Sequence, residues 1–450
     1  MNKYRFFSFI FFSLIFFYLY INASDNFDRN ILFWGSFNYW LFSFPLILYS
    51  INYKNSKINF PFIEILGLTL LISYGIPPFL IDSNSYQLYP LTIDSLKLSF
   101  WFYFLFFITY YLFNYLLSGI SPYKLIKQFN VSGVKRITYI FFIIYVIGKF
   151  ISNSLLHLSD LSLYLFIGFY FILFNKKIKI PVFLNVLFYL VLFYEILMRL
   201  TSGLASSLIF FSLFVFIIDY LINHNLKRIF VPLVLLIFIY TLFAAIKSEY
   251  RAAVWGSEIN LSTSQKLITL NELTFDDENV KSLGSSDKGD KESFFWRFSY
   301  QASAFSLVLA NTPSIVPYWG GESYKFFSKF IPRFIWPDKP EENLGQEFGH
   351  RYNVLDFFDF GTSMNTPILA EAYMNFGLLG AGVFMSILGG LYAFFNRKFN
   401  SKNASLINVI IGVAILFPLT IHESNFTLIF GNIPLKLISL YILANFFYFE

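Results

Sequence analysis

Long apolar runs follow one another along the chain, separated by short polar stretches, and the pattern breaks once, between Lys247 and Thr366. The runs fall at roughly 6–22, 31–52, 61–82, 98–119, 137–153, 161–175, 181–198, 204–222, 229–246, 367–395, 404–421 and 432–449. A helix needs about 20 apolar residues to cross a bilayer core. At this apolarity the backbone must satisfy its own polar groups, which leaves helices. A membrane β-barrel would show short alternating strands, and these runs do not alternate. The pattern predicts an all-α polytopic membrane protein of about twelve transmembrane helices. One large extracytoplasmic loop, residues 247–366, lies between the ninth and tenth helices of a single membrane domain, residues 1–450.

Charge sets the expected orientation. If the N-terminus is inside, the inner segments carry Lys3, Arg5, Lys54, Lys57, Lys124, Lys127, Lys135, Arg136, Lys176, Lys177, Lys179, Lys227, Arg228, Arg397, Lys398 and Lys402. The opposite segments carry only Arg29, Lys97, Lys149, Arg199 and Lys436. That asymmetry follows the positive-inside rule and predicts cytoplasmic termini and an outer polar loop. The first run, behind Lys3 and Arg5 and before Ala23-Ser24, is long for a signal sequence and reads as a retained helix. No internal repeat is apparent, and the late loop has no counterpart in the first half. Both weigh against an inverted-repeat transporter.

Composition agrees with this class. The chain is 56% hydrophobic and 13% charged, with a mean hydropathy of +0.59. Its net charge of +6 falls in short inter-span segments and does not point to nucleic acid. Cysteine is absent, which excludes disulfides, thiolate catalysis and cysteine metal sites.

Candidate chemistry gathers in the polar stretch and the helix ends beside it. Its middle, about 271–292, reads as solvated; Asp276, Asp277 and Glu278 lack clean metal-ligand spacing. On the near flank, Arg251 follows Glu249 and Tyr250. On the far flank, Arg297 sits among aromatics at the start of a helix-like run to Leu309, which reads as an interfacial or a packing helix. The segment from Phe330 to Pro340 holds Pro332, Pro337 and Pro340, so it is extended. It would place Arg333 and Lys339 beside headgroups. Glu347, His350 and Arg351 lie within five residues, and Glu347 and Arg351 would pair if helical. Glu371 falls one turn into the tenth span, where an ionisable group is a functional candidate or a latch for the loop. Glycines from Gly377 to Gly390 allow close helix approach. Arg199, four residues after Glu195, and His422, before Glu423, mark other outer helix ends.

The run Pro332-Arg333, Trp336-Pro337, Lys339-Pro340, Gly345, Phe348, Tyr352, Thr362-Ser363, Glu371-Ala372-Tyr373-Met374-Asn375-Phe376-Gly377 and Gly380 resembles the signature region of Wzy-type O-antigen polymerases. The motif likeness covers roughly 290–390; elsewhere the likeness is one of topology. The stretch Arg199–Leu204 stands where relatives show a Gly-Ser-Arg-like motif, with the arginine displaced. The resemblance implies a glycosyltransferase of the bacterial inner membrane, for which a GT-C-like architecture is compatible. It would join undecaprenyl-diphosphate-linked repeat units into O-antigen or capsular polysaccharide at the outer membrane face. Partners would be that lipid-linked glycan, membrane lipids, a chain-length regulator and a flippase.

Fixed cations suit a diphosphate leaving group. Arg251, Arg333, Arg351 and Lys339 are the candidates, with Arg199, Arg297 and His422 as additional ones. His350 or Glu371 would serve as general base. No metal site is legible and no cofactor is expected. An O-antigen ligase shares the topology and donor; a flippase would need a charged cavity across both leaflets. A polymerase mutant leaves a single repeat on lipid A core, whereas a ligase mutant leaves none.

Overall fold

The computed structural model describes residues 3–23, 28–52, 60–80, 88–120, 131–151, 156–175, 178–203, 205–223, 228, 230–236, 239, 246, 249–250, 253–254, 261–274, 288–324, 331, 335–339, 343–359, 362–400 and 406–446. Among these, all regular structure is helical. Five stretches are long and apolar enough to cross a membrane: Arg29–Tyr49, Phe62–Leu80, Ile93–Gly119, Val182–Leu200 and Ile368–Phe399. Shorter apolar helices occupy Ser8–Ala23, Ser159–Asn175, Ser207–Asn223, Leu406–Thr420 and Phe426–Ile442. These positions follow the apolar runs of the sequence. Five of the twelve expected spans thus meet the length and apolarity required among the described residues.

The chain divides into two compact units. One comprises Met1–Ile126, Gly148–Leu158 and Glu292–Tyr448; the other comprises Lys127–Ile147, Ser159–Lys291 and Phe449–Glu450.

In the first unit, helix Ile93–Leu116 runs along the long helix Ile368–Phe399. Small residues let the two backbones approach, since lipid offers no hydrophobic drive between helices. A Cβ on Gly389 would collide with the Phe106 carbonyl oxygen and with Thr109 Oγ1. Gly389→Leu is therefore expected to force the helices apart and to cost about 1–3 kcal/mol. A lower melting temperature of the detergent-solubilised protein would register this; an unchanged one would refute the close crossing.

Helix Phe62–Leu70 passes into a π-helical turn, Leu71–Gly75, where Thr69 Oγ1 donates to the Thr420 carbonyl at 2.7 Å. At its other end Asn400 bridges the Phe60 backbone, accepting from its N–H at 2.9 Å and donating to its carbonyl at 2.6 Å.

From Glu292 onward, the helix Lys288–Asn311 belongs to this unit. Every residue from Ser299 to Val308 is buried, so the packing reading of this run holds over that part. Its polar side chains bond neighbours, as buried polar groups must. Ser303 Oγ accepts from the Leu88 and Tyr89 N–H groups at 3.0 and 2.7 Å. Ser306 reaches Ser95 at 2.7 Å, and Gln301 donates to Ser73 at 3.0 Å.

In the second unit, Tyr250 is buried and donates to the Thr201 carbonyl at 3.0 Å. With Val254 it forms a small cluster against Leu261, Leu270 and Leu273. The near flank of the polar stretch is thus anchored through an aromatic side chain.

Candidate functional site

The site in the first unit is built on a break in its longest helix. Helix Ile368–Phe399 starts after Pro367 and leaves helical geometry at Gly377, with φ 63° and ψ −160°. A glycine reaches this region at little cost, and other residues rarely do. The break frees carbonyls from the helical ladder. The Trp319 N–H takes that of Met374 at 3.0 Å, and the Gly320 N–H takes that of Asn375 at 3.1 Å. Positive φ at Gly320 and Gly321 turns these amides toward the helix.

Side chains stitch the same loop down. Asn375 Nδ2 donates to the Glu371 carbonyl and to Ser323 Oγ, both at 2.7 Å, and Asn375 Oδ1 accepts from the Gly321 N–H at 3.0 Å. Ser323 Oγ donates to Glu371 Oε1 at 2.9 Å. The other carboxylate oxygen accepts the Phe426 N–H at 2.6 Å. Glu371 itself is 0% exposed. It therefore joins three segments: the loop 319–324, the outer helix turn 368–376, and the short helix Phe426–Phe430. Tyr324 stacks on Phe376 with ring centroids 5.7 Å apart. Burial first, and then the Glu371 carboxylate, push the Tyr324 phenol well above its ordinary value.

On the locked loop sits the cation. Helix Leu344–Arg351 buries Leu344, Gly345, Phe348 and Gly349 on one face, the i, i+4 pattern of an amphipathic turn. Met364 N–H donates to the Gly345 carbonyl at 3.2 Å. Tyr352, next after the helix, shares a 2.7 Å hydrogen bond with Thr312. Burial, the largest influence on it, pushes the Tyr352 phenol up to about 12, although Thr312 and Arg351 pull the other way.

This anchoring turns Arg351 outward. Its guanidinium lies over the Trp319 ring, 4.1 Å from the centroid. One of its nitrogens is 3.8 Å from Glu322 Oε2, and the two side chains are 42% and 75% exposed. A pair so exposed contributes roughly 0–1 kcal/mol, so an incoming phosphate can displace the glutamate readily. Where the spacing suggested a Glu347–Arg351 pair, the guanidinium lies over Trp319 and near Glu322.

The other sequence candidates are distributed differently. His350 precedes Arg351, is partly buried and has its Nε2 enclosed. Lys339 Nζ donates to the Ile331 carbonyl at 3.0 Å. Arg251 and Arg333 lie outside the described residues, as do residues 275–287 of the stretch 271–292 expected to be solvated; its two described ends fall in the helices Thr263–Thr274 and Lys288–Asn311. Arg297 falls in the helix Lys288–Asn311, with its side chain outside the described set.

His422 does not pair with Glu423 at a helix end. It is fully buried, with Nε2 2.8 Å from Tyr392 Oη and Nδ1 3.3 Å from Tyr103 Oη. Tyr392 donates to the Leu419 carbonyl at 2.7 Å, which assigns the ring proton to Nε2 and makes Nδ1 the acceptor from Tyr103. Glu423 instead accepts from Asn365 at 3.2 Å. In the second unit, Arg199 bonds Glu195 at 2.8 Å, in the helix-end pair its spacing predicted. Glu195 also accepts from Tyr145 at 2.7 Å, and the guanidinium covers Phe211 at 4.7 Å.

Trp319, Glu322 and Ser323 are site residues that the sequence pattern did not single out, and Asn375 stood in the signature run without a role. The signal for the first three was the Trp-Gly-Gly-Glu-Ser run at 319–323, where paired glycines between large and polar residues mark a specialised turn. Among the described residues, no group of three His, Asp or Glu side chains is placed to hold a metal ion.

A family model described as O-antigen polysaccharide polymerase Wzy matches residues 281–449, which include the loop 318–324, helix Leu344–Arg351, Glu371 and Phe426. No curated protein and no solved structure matches the chain.

Proposed function

From the match of residues 281–449 to O-antigen polysaccharide polymerases, we propose that this integral membrane protein joins lipid-linked oligosaccharide repeat units into a polysaccharide. The donor is a glycan on undecaprenyl diphosphate, and the transfer takes place at the outer face of the bacterial inner membrane. In this reading the chain crosses the membrane about twelve times, with cytoplasmic termini and residues 247–366 outside. A chain-length regulator and a flippase act with it.

The observation that carries the reading is the exposed Arg351 guanidinium, stacked on Trp319 and only loosely held by Glu322. Its planar fork suits two phosphate oxygens. In the transfer, an acceptor hydroxyl oxygen forms a bond to the anomeric carbon of the donor. The bond from that carbon to the diphosphate oxygen breaks, and undecaprenyl diphosphate leaves with the electron pair. Arg351 stabilises the charge that develops there, and Arg251 and Arg333 are proposed to share this task. Lys339, bonded to a backbone carbonyl, has a lesser part. The acceptor proton passes to a base, for which His350, one residue before Arg351, is proposed. Glu371, enclosed and bonded through both oxygens, is proposed as the residue that positions the loop.

Arg351→Ala is expected to abolish chain elongation while the protein stays inserted and melts as before. Arg351→Lys keeps the charge but loses the fork and much of the stacking, so it should restore elongation only in part. The readout is the polysaccharide ladder of a strain whose only copy is the variant. A ladder of normal length from Arg351→Ala would refute the diphosphate role. Lipid A core lacking even a single repeat would favour a ligase.

A further inference from the structure

Beside Trp319, which carries the Arg351 guanidinium, lies a second set of side chains that diphosphate binding does not use. Tyr318 is 44% exposed although its loop is stitched down on both sides. Its ring rests against the helix break, where a Cβ on Gly377 would come within 2.9 Å of its Cζ and Oη. The Tyr318 ring stands edge-to-face with that of Tyr373, 6.4 Å away, and Tyr373 is held edge-on by Phe305 at 6.1 Å.

Asp94 is exposed in the first turn of helix Ile93–Leu116, next to Ser95. That turn is rigid. Thr92 and Ser95 form a reciprocal capping box, and Ser306 bonds Ser95 at 2.7 Å. Phe305 and Ser306 are adjacent on one helix, so the turn that carries Asp94 stands near the Tyr318–Tyr373 pair, while Trp319, next to Tyr318, carries the guanidinium.

We propose that Tyr318, Tyr373 and Asp94 form the subsite for a saccharide ring beside the diphosphate position; this rests on the polymerase reading above. The exposed tyrosine offers an apolar face for the C–H side of a pyranose and a hydroxyl at its rim. Asp94 accepts charge-assisted hydrogen bonds from sugar hydroxyls. A carboxylate there repels a second negative charge, so the sugar bound is neutral or carries an amine, not a uronic acid.

The test uses the full chain in lipid nanodiscs and two soluble probes. One is the oligosaccharide released by mild acid from the lipid-linked repeat unit of a strain lacking this protein. The other is farnesyl diphosphate. Asp94→Asn, which preserves shape, is expected to weaken oligosaccharide binding about tenfold or more and to leave farnesyl diphosphate binding unchanged. Tyr318→Leu should do the same, and Arg351→Ala the reverse. Wild-type oligosaccharide affinity in Asp94→Asn, with normal melting, would overturn the subsite while leaving the polymerase reading intact. A wild-type protein that binds neither probe and elongates no glycan would overturn that reading itself.

Discussion

Replacing Glu371 by alanine is expected to eliminate long polysaccharide and to lower the melting temperature of the protein. The carboxylate is fully enclosed, and its two oxygens serve different segments, Ser323 in the loop and Phe426 at the start of the short helix. Removing it leaves the Phe426 N–H without its acceptor in an enclosed place, at a cost of about 1–3 kcal/mol. The cavity adds to that cost. The Ser323 hydroxyl can rotate, but the loop then loses one of its ties to the helix and keeps those to Asn375 and Met374. The loosened loop holds Trp319, and through it Arg351, less firmly.

Glu371→Gln separates positioning from proton transfer. Its amide oxygen can accept the Phe426 N–H while its amide nitrogen donates to Ser323 Oγ, so the three segments stay joined. The expected result is a ladder and a melting temperature close to wild type. A glutamine variant that melts normally but makes no polymer would show instead that Glu371 handles a proton. The same substitution therefore decides between the latch and the general base.

The helices were legible in the sequence because a membrane imposes one rule on every span. From Arg29 to Tyr49, or from Ile93 to Gly119, continuous apolarity leaves no other way to satisfy the backbone. The helix Lys288–Asn311 shows where that rule falls short. Its run to Leu309 leaves an interfacial and a packing helix both open, and the structure makes Gln301, Ser303 and Ser306 core residues bonded to partners from residues 73 to 95. Such pairings are long-range, and no local pattern announces them.

The site was legible to a similar degree. An acid one turn inside an apolar span stood out by its cost, so Glu371 was found. Its partners Ser323 and Asn375 are ordinary residues whose importance arises only because the break at Gly377 opens the backbone beside them. His422 stood out as an outer helix end beside Glu423, but the two tyrosines that enclose it come from 319 residues before and 30 residues before in the chain. Its surroundings could not be read from neighbours in sequence. Arg351 was found by its charge, whereas the Trp319 ring that aims it was not.

Gly377→Ala is expected to damage the site strongly although it adds a single methyl group. At φ 63° and ψ −160° an alanine is held in a region open essentially to glycine, a strain of about 1–3 kcal/mol. The new Cβ would also meet Tyr318 at 2.9 Å. The chain has two ways to relieve this. It can keep the break and expel Tyr318, or it can straighten the helix and withdraw the Met374 and Asn375 carbonyls from the Trp319 and Gly320 N–H groups. Both displace the loop that carries the Arg351 platform, so elongation should fall sharply, with a lower melting temperature. Gly382→Ala is the control. It lies on the same helix beyond the break, where a Cβ would make ordinary contacts at 3.6 Å with Leu105 and 3.8 Å with Phe102. Alanine is the better helix former by about 1 kcal/mol, so this variant should elongate glycan normally and melt no lower than wild type. If both variants produced the wild-type ladder, the break at Gly377 would have no part in building the site.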